Sequence, residues 1–212
     1  GYLDDYVFLI DGILALLQAR WRDGDLDFAT LLADAVLDHF EDHEHGGFFF
    51  TADDHEQLIH RPKPLTDEAT PSGNGVAATV LGRLGHLLGE PRYLDAAERG
   101  LRAAWSGVTN LPYAHDSFLS ALEDQLYPPQ LIVLRGAATE LKEWQARVNR
   151  HYAPRRLCLA IPKDAVQLRG TLAQCAPRGA ITAYVCSGTS CSAPIDELPE
   201  LEAQLAETEA VV

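Results

Sequence analysis

The sequence predicts a mainly α protein: a partial α/α toroid carrying a β-hairpin insertion, followed by a small α/β subdomain. Three observations lead there. Helical segments that are apolar nearly all the way round alternate with segments apolar along one stripe. The links after the first kind are short (20–25 and 89–90), whereas those after the second kind are long, above all 44–71. From Gln130 onward, short apolar runs alternate with helical patterns, so the chain divides at Pro128-Pro129 into 1–128 and 129–212.

Residues 3–19 read as a helix buried on most sides, and 26–43 as an amphipathic outer helix with a stripe of Leu26, Leu31, Leu32, Val36 and Phe40. Residues 48–51 and 58–60, around the polar turn Ala-Asp-Asp-His-Glu, predict a hairpin near 47–61. Pro62 and Pro64 then break the chain. A small-residue helix follows over 72–88, a proline-started amphipathic helix over 91–105, and a shorter one over 116–126. In the second part, strands over 131–134, 156–161 and 180–186 alternate with helices over 138–151, 166–175 and 196–208. That order predicts a parallel sheet.

Hydrophobic residues at 47% and charged residues at 23% belong to a soluble globular chain. No apolar run reaches the length of a membrane span. The net charge of −14 argues against nucleic acid and anionic membranes as partners. Residues 1–68 hold sixteen acids against four bases, which suits either a solvated acidic face or a site for a neutral or cationic small molecule. The start shows no basic leader before an apolar stretch, so a cytoplasmic place is expected.

Four stretches share a further property: Gly1-Tyr-Leu-Asp-Asp-Tyr-Val-Phe-Leu-Ile-Asp-Gly, Gly46-Gly-Phe-Phe-Phe-Thr-Ala-Asp-Asp-His-Glu, Arg61-Pro-Lys and Ala69-Thr-Pro-Ser-Gly-Asn. Together with Ala183-Tyr-Val-Cys…Cys191-Ser-Ala-Pro194, they resemble the spermatogenesis-associated protein twenty family, whose members carry a thioredoxin-like domain. The resemblance implies an α/α toroid of the six-hairpin glycosidase type, related to N-acylglucosamine 2-epimerases. It further implies that this chain corresponds to the C-terminal third of the usual architecture. The expected partners are then a sugar-like ligand and either the N-terminal toroid and thioredoxin-like portion or a second copy of the chain.

In a toroid the long loops gather at the N-termini of the inner helices, where a pocket would form. Asp4, Asp5 and Asp11 lie on the first such helix, with Asp4 and Asp11 on one face about 10 Å apart at ~1.5 Å per residue. Carboxylates in an apolar site suit acid–base work on sugars, so the candidate catalytic set is Asp4, Asp5, Asp11 and the loop histidine His115. First-turn acids favoured by the helix dipole and a structural Asp11 are the competing readings. The candidate substrate-binding set is Tyr2, Tyr6, Asp67, Glu68, Ser72, Asn74 and Tyr113. Within it, Thr70 or Ser72 is equally suited to cap the third helix, and Gly73 and Gly75 would let a ligand approach its start.

No cofactor is expected. Gly73-x-Gly75-x-x-Ala78 matches a dinucleotide fingerprint in letters, but it follows a proline-rich loop rather than a strand. His39 and His43, four apart and followed by His45, have metal-compatible spacing but no zincin glutamate between them. The cysteines supply no four-ligand zinc pattern either. Cys186 and Cys191 flank Ser-Gly-Thr-Ser, where a reversible disulfide fits. Sugar-active enzyme and non-catalytic scaffold working with a thioredoxin-like domain therefore stand as the two expectations.

Overall fold

Helix α1, Leu3–Ala19, buries Leu3, Val7, Ile10, Ile13, Leu14 and Leu17. Those positions recur every three or four residues and so share one face. Phe8, Leu9 and Leu16 stay exposed, so α1 is less enclosed than its composition predicts. The computed structural model describes residues 1–56, 59–150, 152–188 and 190–209. They form a mainly α chain with one four-stranded sheet. It divides into two units, one of Gly1–Ala15 with Gly24–Pro128 and one of Leu16–Asp23 with Pro129–Val212.

In the first unit, α2 (Asp23–Phe40) buries Leu26, Ala29, Ala33, Val36, Leu37 and Phe40. The buried stripe thus runs through two alanines, and Leu31, expected inside, is exposed. Helix α3 (Gly73–Leu88) ends on Gly89 at φ 62°, a left-handed cap that glycine adopts without strain. Pro91 then opens α4 (Pro91–Asn110), and α5 (Asp116–Leu126) follows a single 3-10 turn. Ala78 of α3, Leu101, Ala104 and Val108 of α4, and Phe118 and Ala121 of α5 form one apolar cluster.

The small residues of α3 admit its neighbours. A Cβ on Gly73 would collide with Asp4 and press on Leu3, one on Gly75 with Ser117, and one on Gly85 with Leu94. Side chains of α1 and α5 therefore occupy the space directly over Gly73 and Gly75 that was expected to be left for a ligand.

The expected hairpin near 47–61 does not form among the described residues, and Leu58 lies outside them. Phe48 instead makes an isolated antiparallel bridge with Glu41, and Thr51 one with Tyr2. The Phe-Phe-Phe run thus finds its bridge partners beside the end of α2 and the start of α1, while the Phe50 N–H donates to the Pro62 carbonyl of the segment that follows.

In the second unit the strand order is β2-β1-β3-β4, with β1 Gln130–Gly136, β2 Arg156–Pro162, β3 Ile181–Ser187 and β4 Ser190–Cys191. β1 and β2 are parallel, joined through α6 (Ala138–Val148), as expected. β3 runs antiparallel to β1, against the expectation of a parallel sheet. The connection holds only the short helix α7, Gly170–Gln174, and no crossover helix that packs along the sheet. The chain enters β3 at Ile181 beside Gly136, the end at which β2 finished. Ile132, Leu134, Leu141, Trp144, Ile181, Leu201 and Leu205 centre the core, the last two from α8 (Leu198–Glu209).

Two substitutions on α3 test the close-approach account. Gly75→Ala is expected to cost about 1–3 kcal/mol through overpacking against Ser117. Gly82→Ala, with nothing within 4 Å of its added methyl, is expected to gain roughly 0.5–1 kcal/mol from helix propensity. Urea unfolding midpoints of both variants check the contrast.

Candidate functional site

The long loop 41–72 is tied down from its own side chains upward. Asp42 turns the chain by accepting the backbone N–H groups of Glu44 and His45 at 3.1 and 3.0 Å. Its other oxygen accepts Lys63 Nζ at 2.7 Å, and Lys63 also donates to the Gly46 carbonyl at 2.7 Å. The Lys63 hydrogen bond outweighs burial and holds the Asp42 carboxyl down at about 2. Gly46 and Gly47, at φ 74° and 73°, carry the chain past the Arg99 carbonyl, where no Cβ fits over Gly46. Arg61 donates to the Thr51 carbonyl and lies 4.3 Å from the Phe49 ring centroid. Glu41, almost wholly buried in its side chain, is paired with Arg99.

Beyond this loop, the first turns of α3 and α5 meet at Asp67. Its Oδ1 accepts the Ser72 N–H at 2.7 Å, and its Oδ2 accepts the Ser117 N–H at 2.8 Å. The Ser117 hydroxyl donates to the same carboxylate. Burial pushes the Asp67 carboxyl up, but the bonds from Ser117 and Ser72, with His115 nearby, hold it below its ordinary value. Asn74, fully buried, clamps Phe48 by accepting its N–H at 2.7 Å and donating to its carbonyl at 2.9 Å. The same amide donates to the Pro64 carbonyl at 3.0 Å.

Ser72 takes the N-cap position of α3, yet its hydroxyl caps nothing. It donates to the Pro64 carbonyl at 3.1 Å, while Asp67 serves the helix end instead. His115 is buried, with Nδ1 2.9 Å from the Leu111 carbonyl and its ring against Gly107. The loop histidine placed in the candidate catalytic set is thus a packed residue. Asp11 is exposed on α1 and so is not a carboxylate in an apolar site, as its place in the candidate catalytic set required. Glu68 is exposed, and Tyr113 stands 77% exposed on the 3-10 turn.

Around the start of α1, Asp5 accepts the Tyr2 N–H at 2.8 Å and faces solvent. Tyr2 stacks on Phe50 with centroids 4.8 Å apart, and Tyr6 packs against Phe40. Asp4 differs from every other acid of the set. Its Oδ1 is buried beside Gly73 and makes no hydrogen bond, and burial, helped by the Asp5 charge, raises its pKa. Asp4 and Asp67 are therefore brought to the same helix start, whereas Asp11 and His115 are not brought to an open site.

Among the described residues, two clusters have ligand atoms close enough to hold a metal ion: His39 with Asp53 and Asp54, all exposed, and Cys175 with Cys186 and Cys191. The His39/His43 pair does not assemble, because α2 ends at Phe40 and leaves His43 and His45 outside the helix. His39 instead lies 2.9 Å from Asp53. Asp42, Lys63, Arg61 and Asn74 carry the loop, and only the Gly46-Gly47 pair and the Arg61-Pro-Lys63 run signalled it in the sequence.

No family profile matches the chain. Over 211 residues, 95% of this chain, it is 30% identical to spermatogenesis-associated protein 20 of Homo sapiens. The chain is homologous to that protein. It is 29% identical to the Rattus norvegicus protein of the same name, and 25% identical over 206 residues to an uncharacterized protein of Caenorhabditis elegans. It covers 27%, 26% and 28% of these relatives, so it spans about a quarter of their length.

Two outcomes test the structural assignments. Asn74→Ala strands the Phe48 N–H and two carbonyls, and is expected to lower stability by roughly 2–4 kcal/mol in urea unfolding. Asp42 and Asp67 have depressed folded pKa values, so their contribution is full above the unfolded value of about 3.9. Stability is then expected to hold steady down to roughly pH 4 and to fall towards pH 2. Asp42→Asn is expected to flatten that fall, as read from urea midpoints across pH.

Proposed function

We propose that the helical unit binds a neutral, polyhydroxylated small molecule, a sugar or a close relative of one, at the shared start of α1 and α3. It would act as the carbohydrate-binding or carbohydrate-active portion of an α/α toroid. The observation that carries this reading is Asp4: a carboxyl oxygen buried beside the first turn of α3 with no hydrogen-bond partner. Buried polar atoms are nearly always satisfied, and an oxygen left without a donor within the chain can be completed by one from outside it. A sugar hydroxyl is a donor of the required kind, and the Tyr2–Phe50 stack places an aromatic face two residues away along the chain. A carboxyl raised by burial also suits proton donation to a glycosidic or ring oxygen, the chemistry of a hydrolase or an epimerase.

A second reading, a non-catalytic scaffold working with a thioredoxin-like domain, draws on one specific observation. Asp67, Ser72, Asn74 and His115 are all engaged in hydrogen bonds that hold the unit together. Either reading is compatible with chain chemistry that avoids lipid: among the described residues no helix is long and apolar enough to cross a membrane.

Asp4→Asn separates the two. The folded state raises the Asp4 pKa, so ionising this group works against folding, fully above the raised value and not at all below about 3.9. The variant is expected to unfold at a higher temperature than the parent at pH 7, with the difference vanishing towards pH 3. In saturation-transfer NMR against a panel of monosaccharides, the parent is expected to give a signal that the variant loses. A parent that engages no sugar leaves the scaffold reading standing.

A further inference from the structure

The sulfur atoms of the second unit have no part in the site above. Cys186 on β3 and Cys191 on β4 are register partners and are joined by a disulfide. Cys175 caps the end of α7, is fully buried and carries a free thiol. The return from β2 through α7 lays this third sulfur against the other two, so that all three Sγ atoms lie within 4.8 Å of one another. The backbone there is anchored on both sides. Arg135 Nη1 donates to the Cys175 carbonyl at 3.0 Å, and the Tyr184 hydroxyl donates to the Ala176 carbonyl at 2.7 Å.

Arg135 supplies a second, independent observation. Its side chain is 4% exposed and donates only to the carbonyls of Cys175, Pro162 and Lys163. Its Nε has no partner, and among the described residues no carboxylate accepts from it. Asp23 acts on it electrostatically, but a buried guanidinium that hydrogen-bonds no carboxylate is costly, and Cys175 stands beside it.

We propose that, once the disulfide is reduced, Cys175, Cys186 and Cys191 together hold one soft monovalent cation of the Cu(I) class. Metal–sulfur bonds of about 2.3 Å place ligating sulfurs roughly 4 Å apart, within reach of the observed cluster. Thiolate sulfur selects Cu(I), which accepts three ligands, whereas a structural zinc takes four. No His or carboxylate atom joins this cluster among the described residues. Three thiolates around a monovalent cation carry a net charge of minus two, and Arg135 offsets part of it.

The steps balance. A phosphine reductant cleaves the Cys186–Cys191 bond and is oxidised by two electrons to its oxide, with water supplying the oxygen and the two protons that the sulfurs take up. Each of the three thiols then releases one proton to solvent as it ligates. The metal stays Cu(I) throughout. The disulfide form keeps Cys175 alone and binds nothing, so the redox state of the pair gates the site.

The test uses the full chain under argon, reduced with a phosphine, desalted, and titrated with Cu(I) against the chromogenic chelator bathocuproine disulfonate. The reduced chain is expected to capture one Cu(I) and the oxidised chain none. Cys175→Ser is expected to weaken binding roughly tenfold or more, the scale on which even outer partners of a ligand matter. Cys191→Ser, on the short edge strand β4, is expected to do the same if the buried variant fails to fold. Cys158→Ser, outside the cluster, is expected to change nothing. Equal binding by the oxidised chain, undiminished binding by both serine variants, or preference for Zn(II) in competition would overturn the proposal.

Discussion

The Asp67 carboxylate, shared between the first turns of α3 and α5, is the interaction on which the helical unit depends. Helix N-termini present unsatisfied N–H groups, and an anion placed there gains from both the hydrogen bonds and the dipole. Here a single side chain serves two helices at once, through Ser72 and Ser117. Its own N–H donates to the Ala114 carbonyl at 2.8 Å, which fixes the loop to the turn before α5. Two residues past Ser72, Asn74 takes over and clamps Phe48 as a missing strand would. The loop, α3 and α5 therefore share one polar knot, and Gly73 and Gly75 let α1 and α5 close upon it.

That knot separates two kinds of acid at the same end of the unit. Asp67 is stabilised as an anion because both its oxygens meet donors, from Ser72 and Ser117. Asp4, facing the same turn from α1, is held where its charge is disfavoured. Proteins tolerate such an uncompensated group where it serves a ligand, at some expense in stability. The contrast, more than any motif, is what makes Asp4 the focus of the proposed function.

Much of the fold was legible in the sequence because helices announce themselves by period. Segments α1 to α6 lie close to where apolar spacing, Pro91 and Gly89 place them. What stayed hidden depends on contacts distant along the chain. The Phe48–Phe50 run looks like half of a hairpin, yet its partners are Glu41, Asn74 and Tyr2, which no local pattern announces. Strand β3 reads alike in either direction, and no local pattern tells that it runs antiparallel to β1. Asp11 follows the buried Ile10 in sequence, but one residue on a helix is a turn of 100°, enough to carry it to the surface. Cys175 gave no sign of joining Cys186 and Cys191, since its place beside them comes from the chain doubling back.

Amide hydrogen exchange at Phe48, Ser72 and Ser117 tests most directly the claim that Asp67 and Asn74 hold the helical unit together. Amides at a helix start are ordinarily open to solvent and exchange fast. If the two side chains bind them as described, all three are expected to exchange slowly, with protection close to that of the α3 interior at Leu81 and Leu84. Ser72 and Ser117 exchanging at the rate of exposed loop amides, while the α3 interior stays protected, would contradict the account.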